Sequence, residues 1–193
     1  IFIPVISSNI ARMHQIIEAG IKSGRKIVLS GRSIEQTIRI GTELGYLPFK
    51  KENYVSEREA YKQPQGSLLY IIAGCFGQVG SSLDRLSKHE HDDMTLEKNA
   101  LVVFSAEPNP PGVDVDVLAM MDRLTLLGCE VYAQFLHSRI HEHLHISGHG
   151  HRDDLKLMAN LLKPKFVIPI GDTVVKMRVY RDMLQDEMGI DPN

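Results

Sequence analysis

Short β-branched runs alternate along this chain with stretches whose apolar residues recur at helical spacing, and a chain so patterned has few folds open to it. Ile27-Val28-Leu29, Leu68 to Ala73, Leu101 to Phe104, the residues around Val131, and Phe166 to Ile170 read as buried strands. Between them, Ile10, Met13, Ile17 and Ile21 share one face of a helix that Ser7 or Ser8 can cap and that Gly24 stops. Ser33 is placed to cap a second helix carrying Ile34, Ile38 and Leu44 and ending at Gly45. Ser81 to Leu86 predicts a further helix, and Val117, Met121 and Leu124 line another. Leu155, Met158, Leu161 and Leu162, then Val174, Met177, Tyr180 and Leu184, mark two more. Residues 48 to 66 are polar, with Lys50, Lys51, Asn53, Pro64 and Gly66, and predict a loop holding at most a short helix near Glu57 to Tyr61. Repeated βα units of this kind predict an α/β fold, a mainly parallel, Rossmann-like doubly wound sheet with helices on both faces.

Composition narrows the classes further. With 193 residues, 43% of them hydrophobic and 24% charged, the chain suits one soluble domain and excludes disordered and collagen-like architectures. No apolar run approaches the roughly 20 residues a bilayer demands, so no membrane partner is expected. Cys75 and Cys129 are too few for a disulfide framework and point to a reducing cytoplasm. The formal net charge of -2 provides no broad basic surface, so nucleic-acid binding is expected from a lined cleft, with weak nonspecific affinity. The chain opens on Ile1, without an initiator Met or a basic signal-peptide start, which reads as a fragment or an excised domain.

In open parallel sheets, ligands bind beyond the carboxyl ends of the strands. The segments expected there are Ser30 to Ser33, Gly74 to Gln78, Ser105 to Asp114, Gln134 to His151 and Gly171 to Thr173. Six histidines crowd into them, at His137, His141, His143, His145, His149 and His151. His141-Glu142-x-x-His145 satisfies the zinc-protease pattern, but Ile140, Leu144 and Ile146 alternate with polar residues as a strand does, and Ser147-Gly148 interrupts any helix. Strand spacing puts His141, His143 and His145 on one side, which leaves a metal site and a solvated histidine strip both open. His145, Ser147 and His149 bring imidazole and hydroxyl donors to one turn, where Gly148 and Gly150 let a phosphate approach the backbone ahead of a helix starting near His151. The alternative is that Ser147 and Gly148 merely turn the chain. Gly74-x-x-Gly77-x-x-Gly80 matches neither the dinucleotide fingerprint nor the P-loop and reads as a tight strand-to-helix turn. Asp114 and Asp116 can orient a catalytic group or simply complement a helix dipole. Cys75 has no assignable basic partner and reads as a small buried residue.

Taken in order, these segments resemble the β-CASP portion of ribonuclease J, a metallo-β-lactamase-type RNA-processing enzyme. Ser7-Ser8-Asn9-Ile10 is similar to that family's Ala-Ser-Asn-Ile, and Gly24-Arg25-Lys26 with Ser30-Gly31-Arg32-Ser33 to its Gly-Arg-Lys and Gly-Arg-Ser. Leu44-Gly45-Tyr46 also matches. Ala73-Gly74-Cys75-Phe76-Gly77-Gln78 resembles its Thr-Gly-Ser/Cys-Gln-Gly-Glu loop, and Ser105-Ala106-Glu107-Pro108 to Gly112 its Ser-Pro-Ile-Pro-Gly loop. Most specific is His145-Ile146-Ser147-Gly148-His149-Gly150, similar to His-x-Ser-Gly-His-Ala/Gly, followed by Leu155-Lys156-Leu157-Met158 and Lys163-Pro164-Lys165-Phe166.

The resemblance implies a β-CASP domain over 1–143 and, over 144–193, a returning strand and helix of a metallo-β-lactamase domain. It implies that Ser7, Ser8, Asn9, Arg32, Ser33, His145, Ile146, Ser147, Gly148 and His149 contact RNA, with His149 nearest the scissile phosphate and Asp114 in a catalytic role. It further implies a zinc pair activating water, a homodimer or homotetramer of the full-length enzyme, and exonuclease or endonuclease work in rRNA processing and mRNA decay. Three departures stand out. The His-x-His-x-Asp-His metal motif is absent, and Pro169-Ile170-Gly171-Asp172-Thr173 replaces Pro-Ile/Val-His-Gly-Glu, which leaves Asp172 as a speculative oxygen ligand. Phe76 and Gln78 stand where Gln and Glu are usual. The chain alone is therefore expected to bind RNA weakly and cleave nothing. Two alternatives are a non-catalytic interaction or oligomerisation module that keeps the fold, and a free-standing nucleotide-binding domain.

Overall fold

In the computed structural model, six parallel strands form one sheet: Phe2–Val5 (β1), Lys26–Ser30 (β2), Tyr54–Val55 (β3), Leu68–Ala73 (β4), Leu101–Phe104 (β5) and Glu130–Ala133 (β6). The structure describes all residues except 49, 107–112, 135–143, 146–147, 171–172 and 191–193. The helices that join the strands are Ile10–Lys22 (α1), Arg32–Glu43 (α2), Glu57–Ala60 (α3), Ser82–Ser87 (α4) and Val113–Leu126 (α5). The chain divides into two compact units, Ile1–His145 and Ile146–Asn193, the second holding Arg152–Leu162 (α6) and Val174–Met188 (α7).

The strand order β3-β2-β4-β1-β5-β6 follows from two crossovers that leave neighbouring strands in opposite directions. From β1 the chain passes over β4 to β2; from β4 it passes over β1 to β5. Right-handed crossovers running opposite ways put their helices on opposite faces. The side chains bear this out. Leu69 and Ile71 of β4 pack with Met13, Ile16 and Ile17 of α1 and Ile34 and Ile38 of α2. Leu68, Tyr70 and Ile72 pack on the other face with Leu83 and Leu86 of α4 and Val117, Met120 and Leu124 of α5. The strict alternation along β4, buried at both parities, is that of a strand covered on both faces.

Two strands lie outside the expected set. β1 is only 4 residues long and contains Pro4, which removes a backbone donor and masks the strand in the sequence. Ile1 donates its amino group to Leu68 O at 3.2 Å and accepts from Tyr70 N at 2.8 Å, so odd positions of β1 face β4. Pro4 therefore faces β5, where the register is Phe2↔Val102, and its missing N–H costs no bond in the β4 ladder. Phe2 stacks on Tyr70 with ring centroids 4.2 Å apart. β3 is a two-residue edge strand in the segment expected to be loop; the short α3 falls where a helix was expected.

The fifth expected strand, Phe166 to Ile170, is a correction, since none of its residues is in a strand. A strand exists only when a neighbour supplies backbone partners. Phe166, Ile168 and Ile170 are instead 71%, 82% and 88% exposed. α6 likewise turns Met158, Leu161 and Leu162 outward, and the small core of this unit is Ala159 against Met183 and Leu184. Glu187 on α7 pairs with Arg152 and Lys156 on α6. Among the described residues no helix is long and apolar enough to cross a membrane.

Beyond α4 the chain folds back over α3, and a histidine is trapped there. The His91 ring is nearly fully buried, its Nδ1 accepts from Asp93 N–H at 3.3 Å, and its Nε2 lies 4.0 Å from Glu57 Oε1 without a hydrogen bond. Burial lowers its pKa below the ordinary 6.5, with the Arg85 cation adding to the effect and Glu57, Asp92 and Asp93 opposing it. The folded protein thus binds this proton less readily than the unfolded chain, and stability falls as the pH drops through and below 6.5. Urea unfolding at pH 7 and pH 5 should show a larger loss for the wild type than for His91→Gln; equal losses would exclude this group as the cause.

Candidate functional site

The opposite crossovers of β1 and β4 open a crevice between the segments that leave their carboxyl ends, Ile6 to Asn9 and Gly74 to Ser81. Asn9 caps α1: its N–H donates to Ile6 O at 3.1 Å and its Oδ1 accepts from Arg12 N–H at 3.0 Å. The expected cap at Ser7 or Ser8 is corrected, because the capping oxygen must lie within reach of the amide three residues on, and that pairing belongs to Asn9 and Arg12. Ser7 and Ser8 form the segment between β1 and the cap, Ser7 half-buried and Ser8 exposed.

Arg12 links this end of the sheet to a residue far along the chain. Its Nη2 lies 3.0 Å from Nδ1 of His145, and the His145 N–H donates to Gln134 Oε1 at 2.7 Å just beyond β6. The first turn of α1 contains no acidic residue, so a guanidinium stands beside the positive end of the helix with no carboxylate in that turn to offset it. The Arg12 charge reaches Cys75 on the adjoining glycine turn as well. Burial nevertheless pushes the Cys75 thiol up to about 11, against smaller lowering by a backbone hydrogen bond and Arg12. A thiol so held is no nucleophile at neutral pH.

The glycine turn is fixed by close approach and by one buried carboxylate. A Cβ on Gly77 would lie 2.7 Å from the Asp116 carbonyl carbon, and the Gly77 φ of +71° is itself unfavourable for other residues. Asp84, on the helix after the turn, accepts from Gly80 N–H at 2.8 Å, Lys88 Nζ at 2.8 Å and Arg123 Nη2 at 2.9 Å. Burial pushes its carboxyl up, but these donors outweigh burial and hold it below the ordinary 3.8. Two further hydroxyls at the carboxyl ends, Ser30 Oγ on β2 and Ser105 Oγ after β5, are buried with no hydrogen-bond partner among the described residues.

The remaining expected site residues separate. Arg32 and Ser33 are exposed on the first turn of α2, whose cap is Gly31, not Ser33; Gly31 packs so tightly on Ala73 that a Cβ would come within 2.7 Å of it. Asp114 is exposed in the first turn of α5. Gly148 and His149 are exposed in the second unit. Ile146, Ser147 and Asp172 lie outside the described residues, as do His137, His141, His143 and the Glu107 to Gly112 loop. Among the described residues no group of three or more His, Cys, Asp or Glu side chains could hold a metal ion. Arg12, Gln134 and the Asp84–Arg123 pair were not singled out by motif. Arg12 alone left a signal, as a cation in a first helical turn free of acids.

The family model described as "Ribonuclease J, beta-CASP domain" matches residues 1–124. Ribonuclease J2 of Bacillus subtilis is 32% identical over 190 residues, covering 98% of this chain and 33% of the relative. Ribonuclease J of Helicobacter pylori is 35% identical over 171 residues, 88% of this chain and 24% of the relative. Ribonuclease J of Thermus thermophilus is 35% identical over 169 residues, 88% of this chain and 28% of the relative. The chain thus spans about a quarter to a third of the length of these curated relatives.

Breaking the clamp on the glycine turn should be costly. Asp84→Asn is expected to destabilise by about 2–4 kcal/mol, since it leaves Arg123 and Lys88 without their anion. The contribution of Asp84 is fully present above pH 3.8 and is lost as the pH falls through its lower folded pKa. Urea unfolding between pH 7 and pH 3 should therefore show the gap between wild type and variant closing at the acid end. Gly77→Ala should cost about 1–3 kcal/mol through the clash with α5, and a smaller loss would mean that the turn shifts freely.

Proposed function

This chain belongs to the ribonuclease J family, and from that premise we propose that it is the RNA-binding β-CASP portion of a ribonuclease whose full length hydrolyses phosphodiester bonds. The observation that carries the proposal is the join between Arg12 and His145 at the sheet's crevice. A permanent cation, the positive end of the α1 dipole and an imidazole all meet there, and a phosphodiester is the ligand such a site suits. Ser7, Ser8 and Asn9 line the same segment. The proposal assigns RNA phosphates to these residues, to Arg32 and Ser33 at the neighbouring strand end, and to the His145 to His149 motif. His149 takes the position nearest the scissile phosphate, where an imidazole stabilises developing charge, and Asp114 a supporting catalytic role.

The zinc pair finds no donor set among the described residues, so no chemical step is assigned to it in this chain. We place it in the longer protein, with Asp172 as a candidate oxygen ligand. Residues 144–193 are proposed to be part of the metallo-β-lactamase fold; the outward apolar residues Leu161, Phe166, Ile168 and Ile170 support a stretch that packs on other chain. A homodimer or homotetramer, a cytoplasmic location and a part in RNA processing and decay complete the proposal for the full-length enzyme.

The chain should bind a single-stranded RNA oligonucleotide with a Kd of about 10⁻⁴–10⁻⁶ M, weakening steeply with salt. His145→Ala should cost about tenfold, read by fluorescence anisotropy. Absence of salt-sensitive binding would sink the RNA assignment, and cleavage by this chain with added zinc would sink its inactivity. A full-length protein that binds RNA but carries no zinc and cuts nothing would favour the non-catalytic module.

A further inference from the structure

The bond between Arg12 and His145 has a direction. A guanidinium has five N–H donors, no acceptor and a proton it does not release in proteins. Its Nη2 is 3.0 Å from His145 Nδ1, so Nδ1 must be the lone-pair nitrogen of the ring. The ring proton is then on Nε2, because a neutral imidazole carries one N–H and a protonated ring would turn a second donor against Arg12. The main chain of His145 is held from the other side by Gln134 Oε1 at 2.7 Å. Arg12 is itself set by the Asn9 cap, whose Oδ1 receives the Arg12 N–H.

We propose that Arg12 is a positioning residue that fixes His145 as the neutral Nε2–H tautomer, so that the imidazole donates a hydrogen bond to a phosphate oxygen and takes no proton from the substrate. The proposal rests on the assignment of RNA phosphate to this crevice and adds to it a chemical role. With Nδ1 occupied by a cationic donor and Nε2 already protonated, the ring has no lone pair to act as a general base. A phosphate oxygen is an acceptor, which is what an Nε2–H requires. The Arg12 charge favours the same anion, and the absence of an acid in the first turn of α1 leaves that charge in place.

The test separates the two layers. Imidazole nitrogen shifts of His145, assigned with His145→Gln, report the tautomer in the RNA-free protein; the wild type should show Nδ1 bare and the proton on Nε2, and Arg12→Met should show a mixture of the two tautomers. Affinity for a 5′-labelled single-stranded RNA should fall by about tenfold in Arg12→Met. The fall should shrink in the His145→Gln background, where an amide donor needs no tautomer. An unchanged tautomer in Arg12→Met, or an equal loss of affinity in both backgrounds, would reduce Arg12 to a plain cation and overturn the proposal. Should Arg12→Met not fold, Arg12→Gln, whose amide offers Nδ1 both a donor and an acceptor and so fixes no tautomer, carries the same comparison. A wild type that shows the fixed tautomer but binds no RNA would defeat the RNA assignment while the tautomer assignment stands.

Discussion

The pairing of β1 with β4 is the constraint on which the amino-terminal unit depends. These neighbours run parallel from Phe2↔Tyr70 to Val5↔Ala73, and their crossovers leave in opposite directions. One face of the sheet therefore receives α1 and α2, the other α4 and α5, and the crevice between the departing segments is set before any side chain is chosen. Pro4 lacks a donor only on the β5 side, where the pairing is Phe2↔Val102, and leaves the β4 ladder intact.

Charge is distributed unevenly around that crevice. Asp84 is a buried carboxylate satisfied by two cations and a backbone amide, and it ties the glycine turn to both α4 and α5. Arg12 is the reverse case, a cation in the first turn of α1 with no acid in that turn and an imidazole nitrogen as its partner. The first arrangement uses charge to hold structure in place, and the second leaves positive potential available to a ligand. The hydroxyls of Ser30 and Ser105, without a partner among the described residues, lie at the same end of the sheet, where burial without a hydrogen bond is costly unless something else supplies one.

The second unit shows what the same residue chemistry does where no strand is present among the described residues. α6 and α7 bury Ala159, Met183 and Leu184, and much of the apolar periodicity read from 155 to 170 faces outward. A periodic pattern says which residues want cover, and cover depends on a neighbour. For Leu83 and Val117 the strands of β4 and β5 are that neighbour; for Phe166 and Ile168 no strand among the described residues is.

Much of this protein was legible in the sequence because it is encoded locally. The apolar runs of β2, β4, β5 and β6, the helical spacing of α1, α2 and α5, and the stops at Gly24 and Gly45 all depend on residues within a few positions of one another. The motif ensemble carried the family for the same reason. β1 was hidden by its length and by Pro4, and the cap of α1 by three adjacent polar residues of which only Asn9 has the right reach. Which helix face would be covered, which carboxylate would be buried, and that Arg12 would meet His145 across 133 positions were decided only by tertiary structure. Local spacing records the periodicity of an element; contacts between elements depend on strand order and crossover direction, which no short stretch of sequence contains.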